Sequence, residues 1–165
     1  MNEIGQLTLR DATPEDAPTL LRILREAFDE YKNVLEPPSG AHAETLDTVR
    51  RHLADGAAVL ASIDREPVGF GFYEPAGPVV YFSRLSVLPR FRNNGIGRAL
   101  LEHVERRAKE TGAAGVRLGV RLQLPHLLAR YERVGYRIAE YKTHDGYAHP
   151  TYVYMDKLWR AEFED

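Results

Sequence analysis

The stretch from Val79 to Leu122 constrains the fold more than any other part of the chain. Val79–Leu88 is an apolar run that reads as a strand, and Pro89 stops it. A polar loop follows, and Gly95 and Gly97 open a helix predicted over about Gly95–Thr111. Ile96, Leu100, Val104 and Ala108 form one apolar stripe along it. Val116–Leu122 then reads as a second strand. Strand, helix and strand in this order make a βαβ unit, whose strands pair in parallel through a right-handed crossover.

The remaining segments fit around that unit. Residues 6–10 alternate like a short strand. Thr13-Pro14-Glu15-Asp16 reads as a helix start, with Thr at the cap, Pro in the first turn and acids at the positive end of the dipole. Ala17, Leu20, Leu21, Leu24, Phe28 and Tyr31 continue at helical spacing. Pro37-Pro38 and Ser39-Gly40 break the pattern. A second helix is expected from about Glu44 to Asp55, with Gly56 as its C-terminal cap. Ala57–Ile63 and Val68–Tyr73 read as strands around the turn Asp64-Arg65-Glu66, and Pro75–Pro78 as another turn. A helix over Pro125–Val134 and strands over Tyr136–Tyr141 and Tyr152–Leu158 complete the order β-α-α-β-β-β-α-β-α-β-β. This interleaving predicts an α/β (α+β) chain: a mixed sheet covered by helices on both faces.

Composition narrows the function. With 165 residues and 44% hydrophobic content, one domain spanning 1–165 is expected. No apolar run approaches the roughly 20 residues of a membrane span, so no membrane partner is expected. The start, MNEIGQLTLRDATPEDA, lacks the basic and apolar regions of a secretory signal. A net charge of −2 argues against nucleic acid as a partner. The absence of cysteine excludes disulfides, thiolate metal sites and a cysteine nucleophile, and suits a cytoplasmic protein. The histidines have no zincin spacing, so no metal is expected either.

The chemistry points to the segment Leu85–Leu101. The first turn of a helix leaves amide N–H groups without internal partners at the positive end of the macrodipole, which suits a phosphate. Gly95 and Gly97 would let a pyrophosphate approach the backbone, and Arg92 and Arg98 would add charge-assisted contacts. Two nucleotide readings fail. The dinucleotide fingerprint needs Gly or Ala where Leu100 stands and an acid near the end of the next strand, where Arg117 and Arg121 stand instead. The P-loop needs GK[ST], but Gly97 is followed by Arg98-Ala99.

Arg92-Asn93-Asn94-Gly95-Ile96-Gly97 resembles the R-x-x-G-x-G/A signature of the GNAT superfamily of N-acetyltransferases. Tyr131-Glu132-Arg133-Val134-Gly135-Tyr136 resembles that family's Y-E-(K/R)-x-G-(F/Y) segment. The order of elements fits over nearly the whole chain. The resemblance implies a mostly antiparallel sheet of about seven strands, with one parallel βαβ unit at the coenzyme A site. It implies acetyl-CoA as cosubstrate, its pyrophosphate on the amides of 92–97. The pantetheine would run between strand 79–88 and strand 116–122, held by the backbone of Leu85 and Val87. Tyr131 would stand by the sulfur as general acid. Many relatives carry an asparagine near the start of the helix that bears this tyrosine. Here Leu122–Leu128 has none, and Gln123 and His126 are its polar side chains.

Acetyl transfer to an amine needs no covalent enzyme intermediate, so the lack of cysteine is no obstacle. A primary amine with a pKa of roughly 10.4 is neutral in about one molecule in 2,500 at pH 7, so a base or a deprotonating water chain helps. Glu36 and Glu74 are the candidate bases. Tyr31, Glu36, Tyr81 and Arg84 are candidate acceptor-binding residues, with Tyr141, Asp145 and Tyr147 in a second loop. Arg84 would bind a substrate carboxylate or pair with an acid. His42, His144 and His149 flank these loops and read more simply as surface residues. The acceptor is a small-molecule or peptide amine. Homodimers are common among relatives and are expected here by analogy. The alternatives are a non-catalytic acyl-CoA-binding or sensing module, and an interaction domain without cofactor.

Overall fold

Thr13 follows the first strand and caps a 3-10 turn over Pro14–Asp16 that leads into the first helix. Its N–H donates to the Asp16 carboxylate at 2.7 Å, and Arg10 holds the same carboxylate at 2.8 and 2.9 Å. The computed structural model describes residues 5–159, so Met1–Ile4, part of the stretch read above as lacking a secretory signal, lie outside the described residues. The strands are β1 (Leu7–Asp11), β2 (Ala57–Ile63), β3 (Glu66–Ala76), β4 (Val79–Val87), β5 (Gly115–Arg121), β6 (Arg137–Lys142) and β7 (Tyr152–Leu158). The helices are α1 (Ala17–Phe28), α2 (Leu46–Asp55), α3 (Ile96–Glu110) and α4 (Pro125–Arg133). The seven strands follow the order β1-β2-β3-β4-β5-β7-β6. β4 and β5 pair in parallel, from Val79↔Gly115 to Phe82↔Leu118, while β1–β2, β2–β3, β5–β7 and β6–β7 are antiparallel. The mixed, mostly antiparallel sheet and its βαβ unit are those the sequence predicts.

The described residues form two compact units, 5–74 with 83–106 and 75–82 with 107–159. In the first, Leu20, Leu21, Ile23 and Leu24 of α1 pack with Val49 of α2, Leu60 of β2, and Phe70 and Phe72 of β3. Burying each such side chain contributes roughly 1.5–3 kcal/mol. On the other face of β3, a Cβ at Gly69 would meet Ile96 and Leu100 of α3 at 3.3 and 3.4 Å, so helices cover both faces. In the second, Phe82, Val116, Leu118, Val120, Tyr136, Val153 and Met155 are buried.

Several boundaries differ from the sequence reading: β3 runs over Glu66–Ala76 and takes in one end of each expected flanking turn, and β6 runs over Arg137–Lys142. α1 stops at Phe28, and residues 29–31 tighten into a 3-10 turn closed by Lys32 N–H on the Asp29 carbonyl at 3.1 Å. α2 starts at Leu46 because Thr45 caps it, accepting from Thr48 N–H at 3.3 Å, which leaves Glu44 outside the helix. Gly56 is the C-cap expected there, its N–H donating to the His52 carbonyl at 3.0 Å, with a φ of −153°. Glycine is needed because a Cβ would sit 2.6 Å from the Tyr73 carbonyl oxygen.

Candidate active site

The first unit carries the end of β4, the loop after it and the start of α3. Arg84 interrupts β4 with φ +56°, and Ser86 Oγ donates to its carbonyl at 2.8 Å. Leu85 and Val87 then face α3: a Cβ on Gly97 would lie 4.0 Å from each. Pro89–Phe91 form one 3-10 turn. Asn93 at φ +66° and Gly95 at φ +77° reverse the chain, and both residue types tolerate that region. The Asn94 side chain stitches the turn by donating to the carbonyls of Phe91 at 3.1 Å and Arg92 at 3.2 Å. Ala99 N–H makes the first helical bond, to the Gly95 carbonyl at 3.0 Å. The amides of Ile96, Gly97 and Arg98 therefore precede the helical ladder. A Cβ on Gly95 would meet nothing within 4 Å, so the backbone here borders open space. Arg98 is exposed and pairs with Glu102 at 3.0 Å.

The second unit carries Tyr131 on α4. Its ring stands edge-on to that of the fully buried Tyr136, with centroids 6.2 Å apart, and its carbonyl accepts from Val134 and Tyr136 N–H. Gly135, at φ +104°, makes the turn between them, as expected of a C-terminal cap. An aromatic row crosses the same unit: Tyr81 to Tyr154, Tyr154 to Tyr152, Tyr152 to His144, and His144 to Tyr147. Gly119 makes room for it, since a Cβ there would lie 2.9 Å from the Tyr81 hydroxyl. Arg117 holds Asp156 at 2.8 and 2.9 Å and lies over the Tyr154 ring. Burial, with Arg121 nearby, pushes the His144 imidazole below its usual range, and burial pushes the Tyr152 phenol up.

The family model of the acetyltransferase (GNAT) family matches residues 18–136. The chain belongs to the GNAT acetyltransferase family. It is 26% identical over 141 residues to the protein YyaT of Bacillus subtilis strain 168, covering 85% of this chain and 89% of that one. Its fold matches the PaiA N-acetyltransferase of Thermoplasma acidophilum, solved with coenzyme A, with a TM-score of 0.78 and 20% identity over 93% of this chain and 99% of that one. It matches the ribosomal-protein-S18-alanine N-acetyltransferase of Escherichia coli with a TM-score of 0.73 and 21% identity over 93% and 94%. Acetyl-CoA is the cosubstrate of this GNAT enzyme. The open space beside Gly95, with the unpaired amides of residues 96–98 ahead of the first helical bond of α3, fits the anionic part of that molecule.

The acceptor and base candidates of this acetyltransferase lie on separate elements. In the first unit, Tyr31 follows α1 and stands edge-on to Phe28, while Glu36 is exposed in the next loop. Glu74 lies near the end of β3 beside Gly56, past the C-terminus of α2. Glu36 lies in the loop between the 3-10 turn after α1 and the 3-10 turn over 40–43. Arg84 takes the second of its two readings: its Nε donates to the Glu44 carboxylate at 2.9 Å. Glu44, at 6% exposure, also accepts from Thr48 Oγ at 2.5 Å and lies 3.1 Å from His52 Nε2. Burial pushes this carboxyl up, and the bonds from Thr48 and Arg84 with the nearby His52 outweigh it, leaving it below the usual carboxylate range. Sequence reasoning placed Glu44 as a helix start and missed the network. It also missed Tyr152 and Tyr154, which the alternation of β7 does signal, since both share a face with Asp156. Gln123 and His126 are exposed around the start of α4.

Proposed function

We propose that this acetyltransferase moves the acetyl group of acetyl-CoA directly to an amine in a ternary complex. The bound thioester supplies an activated acetyl group. The backbone of residues 92–98 holds the pyrophosphate, and the strand backbone at Leu85 and Val87 holds the pantetheine. The observation that carries this reading is the open space beside Gly95 together with the amides of residues 96–98 ahead of the first helical bond of α3. Tyr131 hands a proton to the departing thiolate: a phenol with pKa near 10 stays protonated at neutral pH, and a thiol of roughly 8.5 leaves more readily when protonated. Its ring is already fixed against the buried Tyr136. A carboxylate, Glu36 or Glu74, relays the amine proton through water. Holding both reactants together supplies much of the rate. The N-acetyltransferase names of two fold relatives support an amine acceptor, and one of those names specifies the alanine of a ribosomal protein. Tyr31, Tyr81 and Arg84 border the acceptor in this reading, Arg84 as a residue already neutralised by Glu44.

Calorimetric titration with acetyl-CoA, coenzyme A and NAD tests the assignment together with Gly97→Trp. Both CoA species bind the natural protein and NAD does not, and the indole blocks approach to the backbone and abolishes binding. Unchanged affinity in Gly97→Trp removes the pyrophosphate from this loop.

A further inference from the structure

Arg92 heads the 92–97 loop, yet its guanidinium turns back into the first unit. Nη1 lies 2.8 and 2.9 Å from the two carboxylate oxygens of Glu30. Nη2 donates to the Ala27 carbonyl at 2.9 Å, and Nε donates to the Val87 carbonyl at 3.2 Å. All three nitrogens are engaged. One planar fork thus ties the end of α1, the turn after it and the end of β4 to the first residue of the loop. Ala27 is among the last four residues of α1, whose carbonyls lack helical donors and carry the negative end of the dipole, so a cation belongs there.

The loop needs such an anchor. Asn93 and Gly95 both lie at positive φ, and the directions of the following amides depend on how those two turns are held. Asn94 fixes the loop from within, and Arg92 fixes its entry from outside.

We propose that Glu30 is a positioning residue for the cofactor. It acts through Arg92 to hold the 92–97 amides in their binding geometry and makes no contact with acetyl-CoA. This inference rests on the assignment of the pyrophosphate to that loop. Charge gives it a sharp sign. Glu30 is an anion close to a site for an anion, so Coulomb's law alone predicts that neutralising it tightens coenzyme A binding. Positioning predicts that binding weakens.

The test is calorimetric titration of the full chain with coenzyme A for the natural protein, Glu30→Gln, Glu30→Asp, Arg92→Gln and the double variant Glu30→Gln/Arg92→Gln. Amide hydrogen exchange is followed without ligand. The expected result is binding about five- to tenfold weaker in Glu30→Gln and at least as weak in Arg92→Gln, with the double variant no weaker than Arg92→Gln alone. Glu30→Asp keeps the charge but loses reach, and it also weakens binding. Exchange quickens at the amides of 93–98, whereas a purely structural role in α1 would quicken it along that helix. Unchanged or tighter binding in Glu30→Gln overturns the proposal, as does full additivity in the double variant. If Gly97→Trp still binds coenzyme A, the loop assignment itself fails and this inference falls with it. If Gly97→Trp abolishes binding and Glu30→Gln does not weaken it, only the positioning role fails.

Discussion

Replacing Glu44 by glutamine removes one charge from a carboxylate that three side chains approach. Oε1 accepts from Thr48 Oγ at 2.5 Å, while Oε2 accepts from Arg84 Nε at 2.9 Å and lies 3.1 Å from His52 Nε2. An amide offers one acceptor oxygen and one NH2 group, so either Thr48 or Arg84 must face a donor. A hydrogen bond to a charged group contributes about 1.5–3 kcal/mol, and breaking a fully buried pair costs about 3–5 kcal/mol. The Arg84 and His52 side chains keep 30% and 32% of their exposure and can take up water, which favours the low end. The expected loss is about 2–3 kcal/mol at pH 7, or roughly 5–10 °C in the thermal midpoint of a chain this size. The pH dependence carries a sign. The folded carboxyl titrates below its usual value of 4.5, so its contribution is complete above that pH and is lost as the pH falls through the lower folded value. Urea unfolding at pH 7 and at progressively lower pH measures this. The natural protein starts more stable than Glu44→Gln, and the two converge on acidification. Equal stability at pH 7, or a gap that does not narrow, would refute the account of the network.

Tyr131→Phe lowers turnover by about a hundredfold or more while coenzyme A affinity, read by calorimetry, stays near that of the natural protein; equal turnover means that water protonates the thiolate. Arg10 holds the Asp16 carboxyl at about 2, so Asp16→Asn costs about 1 kcal/mol near neutral pH after allowance for the exposure of Arg10. That gap should be complete above pH 3.8 and vanish as the pH falls toward 2, and thermal midpoints that stay apart at pH 2 would contradict it. Gly56→Ala destabilises by about 1–3 kcal/mol, because its Cβ would lie 2.6 Å from a β3 carbonyl oxygen and 2.7 Å from the Glu74 Cβ; a neutral result in chemical denaturation would show that β3 yields.

Most of the fold was legible because its signals are local. Thr13 and Asp16, the two glycines at the start of α3, the stripe of Ile96, Leu100 and Val104, and Gly135 after α4 each announce an element within a few residues of themselves. What the reading did not reach has a cause distant in sequence. Gly56 caps α2 as its position suggests, yet the Tyr73 carbonyl is what forbids a side chain there. Glu44 looks like the first turn of a helix, yet Arg84, forty residues on, takes its carboxylate. Arg92 reads as a charged residue of the loop, and the partners its guanidinium takes, Glu30 and Ala27, lie more than sixty residues earlier, where no local signal points.

The same contrast separates the two halves of the chemistry. A site for a pyrophosphate is made of backbone amides, and the residues that matter are the ones that stay out of the way. Glycine spacing therefore writes it into a short stretch, and Gly95 and Gly97 bear the mark. A site for an acceptor is made of side chains contributed by separate segments, and the proposed residues of the first unit, Tyr31 after α1 and Arg84 in β4, lie far apart in the sequence. No local pattern ties them together, and each residue type is also an ordinary surface residue. Coenzyme A binding thus follows from a motif, whereas the identity of the amine depends on which side chains face it. A screen of amines by thiol release, repeated on Arg84→Ala and Tyr81→Phe, converts that dependence into a measurement: a variant that changes the ranking of acceptors borders the amine, and one that lowers all rates equally does not.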